Sequence, residues 1–257
     1  RQNKIKGLIM IKYLEAAKLT AAIKWLLYLT AFTPVIISSA FLFPYISART
    51  VFFRLLLELA LLMLILLAWF YRLQGQSKGG SNYLLIVFAA FVATNIISSV
   101  FSFSPLHAWF SDIERMWGIF TLLHLFIFYC LLRTFFSGKD WKIFFSVSLV
   151  VSLYVALYGI IQHYPDIFNI KVYQAGIGRI ISTLGNPAYV AIYLIFNVFF
   201  AIFLWRRSNN FWLKWYYAAV IAIDLFAFNL AGIRGTTLGV LAAAVSVGLL
   251  YILLGSQ

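Results

Sequence analysis

Apolar residues in this chain neither alternate nor recur on one helical face. They run for about 20 positions at a time between short polar or basic connections, and about 20 largely apolar residues is the length that crosses the hydrocarbon of a bilayer. Eight stretches meet that length: 25–43, 51–70, 83–101, 117–136, 142–161, 187–205, 211–230 and 236–254. The pattern predicts an all-α protein, a polytopic bundle of about eight transmembrane helices over residues 25–254, preceded by a basic segment over residues 1–24.

Composition supports the same class. With 64% hydrophobic residues, 11% charged and a mean hydropathy of +0.95, the chain lies outside the range of soluble globular domains. A net charge of +13 would point to nucleic acid in a soluble protein. Here the basic residues sit in the connections between apolar runs, as the positive-inside bias requires, so no nucleic-acid partner is expected. All but six of the 20 Lys and Arg fall on one side of an eight-span arrangement, the six being Arg49, Arg54, Arg115, Lys171, Arg179 and Arg234. This asymmetry predicts a cytoplasmic N-terminus and, with an even number of spans, a cytoplasmic end of the chain as well. The single cysteine, Cys130, lies within an apolar run and reads as a packing residue. Met10 is a plausible start, which sets residues 1–9 aside. The basic stretch from Lys12 to Lys24 lacks a small-residue cleavage site at the usual distance, so the first helix is expected to be retained.

The stretch from Gly178 to Ala191 has its own local logic. Asn186 is a good N-cap and Pro187 a good first helical residue, so a helix is expected to begin there. Its free N–H groups, with Arg179 just upstream, would seat an anion, although Asn-Pro also caps helices that bind nothing. Arg234 precedes the last apolar run in the same way. If the two helices are neighbours, two dipole ends and two guanidinium forks form a clamp for a diphosphate; if not, both arginines snorkel to lipid headgroups. Within the spans, Arg54 and Glu58 are four apart and could pair on one helical face. Asp224 lies midway along the seventh run, where an acid is either functional or held neutral by hydrogen bonds. The stretch from Phe103 to Gly118 is amphipathic enough to lie along a membrane surface. The glycines from Gly75 to Gly80 lack phosphate-loop spacing and read as a flexible cytoplasmic loop.

Three blocks resemble the bacterial O-antigen ligase and O-antigen polymerase superfamily: Trp109 to Thr121, including Glu114-Arg115-Met116-Trp117-Gly118; Arg179 to Ala191, including Gly185-Asn186-Pro187; and Ile233-Arg234-Gly235-Thr236-Thr237-Leu238-Gly239. The similarity runs from about Phe103 to Leu250. Two departures stand out: Ala188 where the family often has asparagine, and Ile233 where it often has serine. The resemblance implies an inner-membrane glycosyltransferase of lipopolysaccharide and cell-envelope biosynthesis. Such an enzyme takes glycan from a polyprenyl-diphosphate carrier, of the undecaprenyl type, at the outer membrane face and passes it to a lipid, glycan or protein acceptor. On this reading Arg179 and Arg234 are catalytic, stabilising the departing diphosphate, and Arg115, Thr183, Gly185, Asn186, Gly235 and Thr236 bind it. No cofactor and no metal are implied. Family ligases resemble bundles of about a dozen spans with a large histidine-bearing outward loop after the block of Arg234. The chain is therefore expected to be the N-terminal part of a longer enzyme, inactive by itself, with the general base beyond residue 257.

Two other readings come from different classes. A flippase for lipid-linked glycans would also use outward arginines and an intramembrane acid such as Asp224, although paired broken helices and inverted repeats are not visible in the sequence. A non-catalytic membrane scaffold would account for the same features as topology and packing. The topology is testable directly. Cysteines placed at Gly176 and Ser208 are expected to label from opposite sides of the membrane with an impermeant thiol reagent, and labelling of both from one side would overturn the assignment.

Overall fold

The computed structural model describes residues 2–71, 82–112, 117–169 and 178–254. Among the described residues ten helices follow in order: α1 (Gln2–Leu29), α2 (Ser47–Tyr71), α3 (Tyr83–Val100), α4 (Pro105–Phe110), α5 (Ile119–Phe135), α6 (Gly138–His163), α7 (Pro165–Phe168), α8 (Pro187–Arg207), α9 (Phe211–Ala231) and α10 (Arg234–Leu254), with 3-10 turns at Thr30–Val35 and Ser182–Leu184. No strand occurs among the described residues. Among the described residues five helices, α2, α3, α6, α8 and α9, are long and apolar enough to cross a membrane, and Ile119–Phe135 and Arg234–Leu250 are shorter apolar helices. An all-helical build suits this composition, because a helix satisfies its own backbone polar groups in a medium that offers none.

The first apolar run departs from expectation. Instead of one helix over 25–43, α1 runs through the basic segment and ends at Leu29, and a 3-10 turn containing Pro34 follows. Pro34 has no N–H to continue an α-helical ladder. The Thr30 and Thr33 hydroxyls donate to the carbonyls of Leu27 and Thr30, three residues back in each case. The chain is not helical again until Ser47. The glycine-rich stretch over 74–81 lies outside the described residues.

The chain forms two compact units, Arg1–Phe144 and Phe145–Gln257. The core of the first brings together Ile23 and Leu27 of α1, Leu57 and Ala60 of α2, and Leu131 and Phe135 of α5. One carboxylate fastens its polar end. Asp140 accepts from Lys24 Nζ at 2.8 Å, from the Tyr28 hydroxyl at 2.7 Å and from the Ser137 amide at 2.7 Å. The last bond is the return arm of a capping box, Ser137-Gly138-Lys139-Asp140, at the start of α6. Asp140 thus starts one helix and holds another.

In the second unit α8 and α9 form an antiparallel pair joined by Ser208–Asn210, and Asn210 caps α9 by accepting from the amides of Trp212 and Leu213. The buried positions of α9 are Tyr217, Val220, Asp224, Ala227 and Ala231, a three-four spacing that makes one continuous seam. Its facing helix buries Val190, Ala191, Leu194, Val198 and Ala201. Alanine on both sides lets the backbones approach, which is how helices pack where lipid removes the hydrophobic drive. Polar links tie α6 to both helices: Ser148 of α6 donates to Asn197 of α8 at 2.7 Å, the Tyr193 hydroxyl of α8 donates to the Ser148 carbonyl at 3.5 Å, and Ser152 of α6 donates to Asp224 of α9 at 2.9 Å.

Removing the Asp140 carboxylate strands a lysine, a tyrosine and a capping serine together. Asp140→Ala is expected to lower stability by about 3 kcal/mol, as for breaking a buried pair. Lys24→Met should cost less, because the other donors still hold the carboxylate. Thermal unfolding in detergent micelles checks the order, and equal losses would contradict it.

Candidate anion-binding site

The segment between α7 and α8 is built on α6. Ile180, Ile181, Ser182, Thr183 and Leu184 are all buried, so their backbone groups need partners within the protein. Gln162 supplies one acceptor for two donors: its side-chain oxygen accepts from the amides of Ile181 at 3.0 Å and Ser182 at 2.8 Å. The Ser182 hydroxyl donates to the Val155 carbonyl at 2.6 Å. Ser182 sits at φ +47°, a conformation rare for serine, and these bonds hold it there. Ile180 packs over Gly159, where a Cβ would come within 2.8 Å of its Cδ1.

From this anchor the chain turns into α8. Gly185 takes φ +71°, its amide donating to the Ile181 carbonyl at 2.9 Å. Asn186 is extended, and its side-chain oxygen accepts from the Ala188 amide at 2.8 Å. Pro187 is the first helical residue. The expected Asn-Pro helix start is therefore present in full. Thr183 is 2% exposed, and its hydroxyl has no hydrogen-bond partner among the described residues. A buried hydroxyl left over is uncommon in a folded protein.

Arg179 precedes this segment and is exposed. Its side chain extends to the connection between α9 and α10: the Cβ position of Gly232 lies 3.7 Å from both Cγ and Nε of Arg179. Gly232 ends α9 at φ +63°, and Arg234 opens α10 two residues later. The two arginine-bearing connections, far apart in sequence, thus meet within the second unit. Neither Arg179 nor Arg234 has an ion-pair partner among the described residues. Nothing stands within 4 Å of the Cβ position of Gly235, so the first turn of α10 is open there. The Thr236 hydroxyl donates to the Ile233 carbonyl at 2.8 Å, which leaves its lone pairs rather than its proton for a ligand.

The remaining candidates lie elsewhere. Arg115 falls outside the described residues, with Glu114. The described part of the first block belongs to the first unit, where Gly118 is required by contact: a Cβ there would run into the carbonyls of Ala108 and Trp109. Gln162 and Ser182 were not singled out by the sequence. A lone amide near the end of an apolar run is a visible signal, but its partner, 20 residues on, is not. No group of three or more His, Cys, Asp or Glu side chains is placed to hold a metal ion among the described residues.

Gln162→Ala is expected to leave two buried amides without an acceptor and to destabilise the protein by about 2–4 kcal/mol. Hydrogen exchange at Ile181 and Ser182 should rise far more than at the α8–α9 seam, and unchanged exchange would show that Gln162 is not their anchor.

Comparisons of the chain with protein families, with curated proteins and with solved structures find no match.

Proposed function

We propose that the second unit binds the diphosphate of a polyprenyl-linked glycan, and that the chain works in a membrane glycosyltransferase of the O-antigen ligase and polymerase kind. The observation that carries this reading is the contact of Arg179 with Gly232, which brings Arg179 beside the start of α10 and Arg234. The capped N-terminus of α8 and the unpartnered Thr183 hydroxyl belong to the same segment.

The chemistry follows from the charge that moves. An acceptor hydroxyl or amide attacks the anomeric carbon of the glycan, the bond to the carrier phosphate breaks, and the electron pair leaves with the diphosphate. The guanidinium of Arg179 and the first-turn amides of α10, with Arg234, offer donors that match oxygens on a diphosphate and strengthen as its charge grows. Gln162 fixes the segment in advance, so little reorganisation accompanies the step. In this reading the N-terminus is cytoplasmic, the apolar helices cross a bacterial inner membrane, and both arginine connections face outward.

Carrier transport without bond change is the second reading, favoured by Asp224, which is 0% exposed on a membrane-length helix with one carboxylate oxygen hydrogen-bonded to Ser152 and the other unpartnered. A vesicle assay with lipid-linked glycan separates the two: movement across the bilayer with the glycosidic bond intact would favour transport.

Lysine keeps the charge of arginine but loses the planar fork. In the full-length glycosyltransferase, Arg179→Lys and Arg234→Lys are each expected to lower glycan transfer about a hundredfold, ~3 kcal/mol of barrier, with membrane expression unchanged. Arg49→Lys, in the first turn of α2, should transfer glycan at the wild-type rate. Near-wild-type turnover in both test variants would sink the diphosphate assignment.

A further inference from the structure

Helices α2 and α5 meet through a pair of titratable side chains. His124 of α5 is buried, its side chain 8% exposed, and its Nε2 stands 3.2 Å from Oε1 of Glu58, near the middle of α2. Its Nδ1 lies 2.7 Å from the carbonyl of Phe120, one turn earlier in α5. The Phe120 ring packs edge-on against the imidazole at 4.6 Å between centroids and carries the Arg54 guanidinium over its face at 4.8 Å. Arg54, one turn before Glu58, donates to the Thr121 hydroxyl. Instead of Arg54 and Glu58 being tied only to each other along α2, each reaches across to α5.

The proton count of this pair follows from its acceptors. A backbone carbonyl only accepts, so Nδ1 carries a proton and donates it to Phe120. In the neutral ring Nε2 is then a bare acceptor. Glu58 as carboxylate is also only an acceptor, and two acceptors at 3.2 Å repel. The contact is a hydrogen bond only when one further proton lies between them, on Nε2 as imidazolium facing carboxylate or on Oε1 as carboxylic acid facing imidazole. Both descriptions hold the same single proton, which belongs to the pair rather than to either residue.

We propose that Glu58 and His124 form a proton-binding site within the helical membrane domain, whose occupancy fastens α2 to α5. Uptake takes one proton from solution and makes the Nε2–Oε1 hydrogen bond. Release returns that proton, leaves the imidazole lone pair facing the carboxylate, and breaks the bond; no other covalent bond changes. More than half of the Glu58 side chain lies at the surface of the helices, whereas that of His124 is buried between them. Of the other charged and titratable groups, Arg54 lies within electrostatic reach on the same helix. From α1, Lys24 and Tyr28 are committed to Asp140, and Glu15 is bonded by Tyr71 of α2. α3 carries Tyr83 and α4 His107. Because occupancy makes a bond between two helices, the site stabilises the fold while the proton is held, and that contribution ends with its release.

The test uses the full chain in lipid nanodiscs with 15N-labelled histidine, His124 being assigned by loss of its signals in His124→Gln. The ring nitrogens are followed from about pH 5 to 9, the range over which histidine is informative, alongside the unfolding midpoint. In the wild type Nδ1 should stay protonated throughout, the Nε2 signal should titrate as one proton, and the midpoint should fall by several degrees across the titration. Glu58→Gln supplies an amide N–H that donates to neutral Nε2, so it should keep the fold, hold the bare Nε2 at every pH and abolish the shift in midpoint. A wild-type His124 with an unprotonated Nδ1, or an Nε2 titration unchanged by Glu58→Gln, would overturn the proposal. The wild-type spectrum decides it even where a variant fails to fold.

Discussion

The second unit depends on one amide oxygen. A non-helical segment buried beside membrane-length helices has no water to satisfy its backbone, so every buried N–H in it must find a partner inside the protein. Gln162 answers two of them at once, at Ile181 and Ser182. Everything downstream inherits its position from that anchor: the turn at Gly185, the cap at Asn186, the start of α8, and Arg179 at the other end of the segment. On the proposed diphosphate reading, a helix end fixed through buried hydrogen bonds does not have to be ordered when an anion arrives.

Polar groups do the joining throughout the molecule. Asp140 ties α1 to the start of α6, Ser152 ties α6 to Asp224, and Glu58 with His124 ties α2 to α5. Apolar packing between helices in lipid is not specific enough to fix their rotation, since one leucine face resembles another. A hydrogen bond that would be unmatched in any other register is specific.

The sequence showed what depends on local or compositional rules. Runs of apolar residues marked most helices, and Asn186-Pro187 marked the start of α8 because capping is local chemistry. The first run misled because Pro34 and the threonines around it end α1 inside a stretch that hydropathy treats as uniform. Serine, glycine, lysine and aspartate at 137–140 spell a capping box that the run-length reading passed over. At the site, single residues were legible and pairs were not. Arg179 and Arg234 could be picked out by their neighbours in sequence. That Arg179 packs on Gly232, that Gln162 holds Ser182, and that His124 faces Glu58 are matters of helix rotation and crossing, which one chain without its tertiary contacts leaves open.

The central claim is that Arg179 and Arg234 act on a single diphosphate. A double-mutant cycle on the affinity of the purified protein for a soluble prenyl diphosphate measures this directly, using Arg179→Ala, Arg234→Ala and the combined variant. If both forks hold one anion, the combined loss will differ from the product of the single losses by severalfold, because removing one arginine changes what the other can grip. Single losses that multiply without interaction, or affinity indifferent to both changes, would show that the two arginines do not share a ligand.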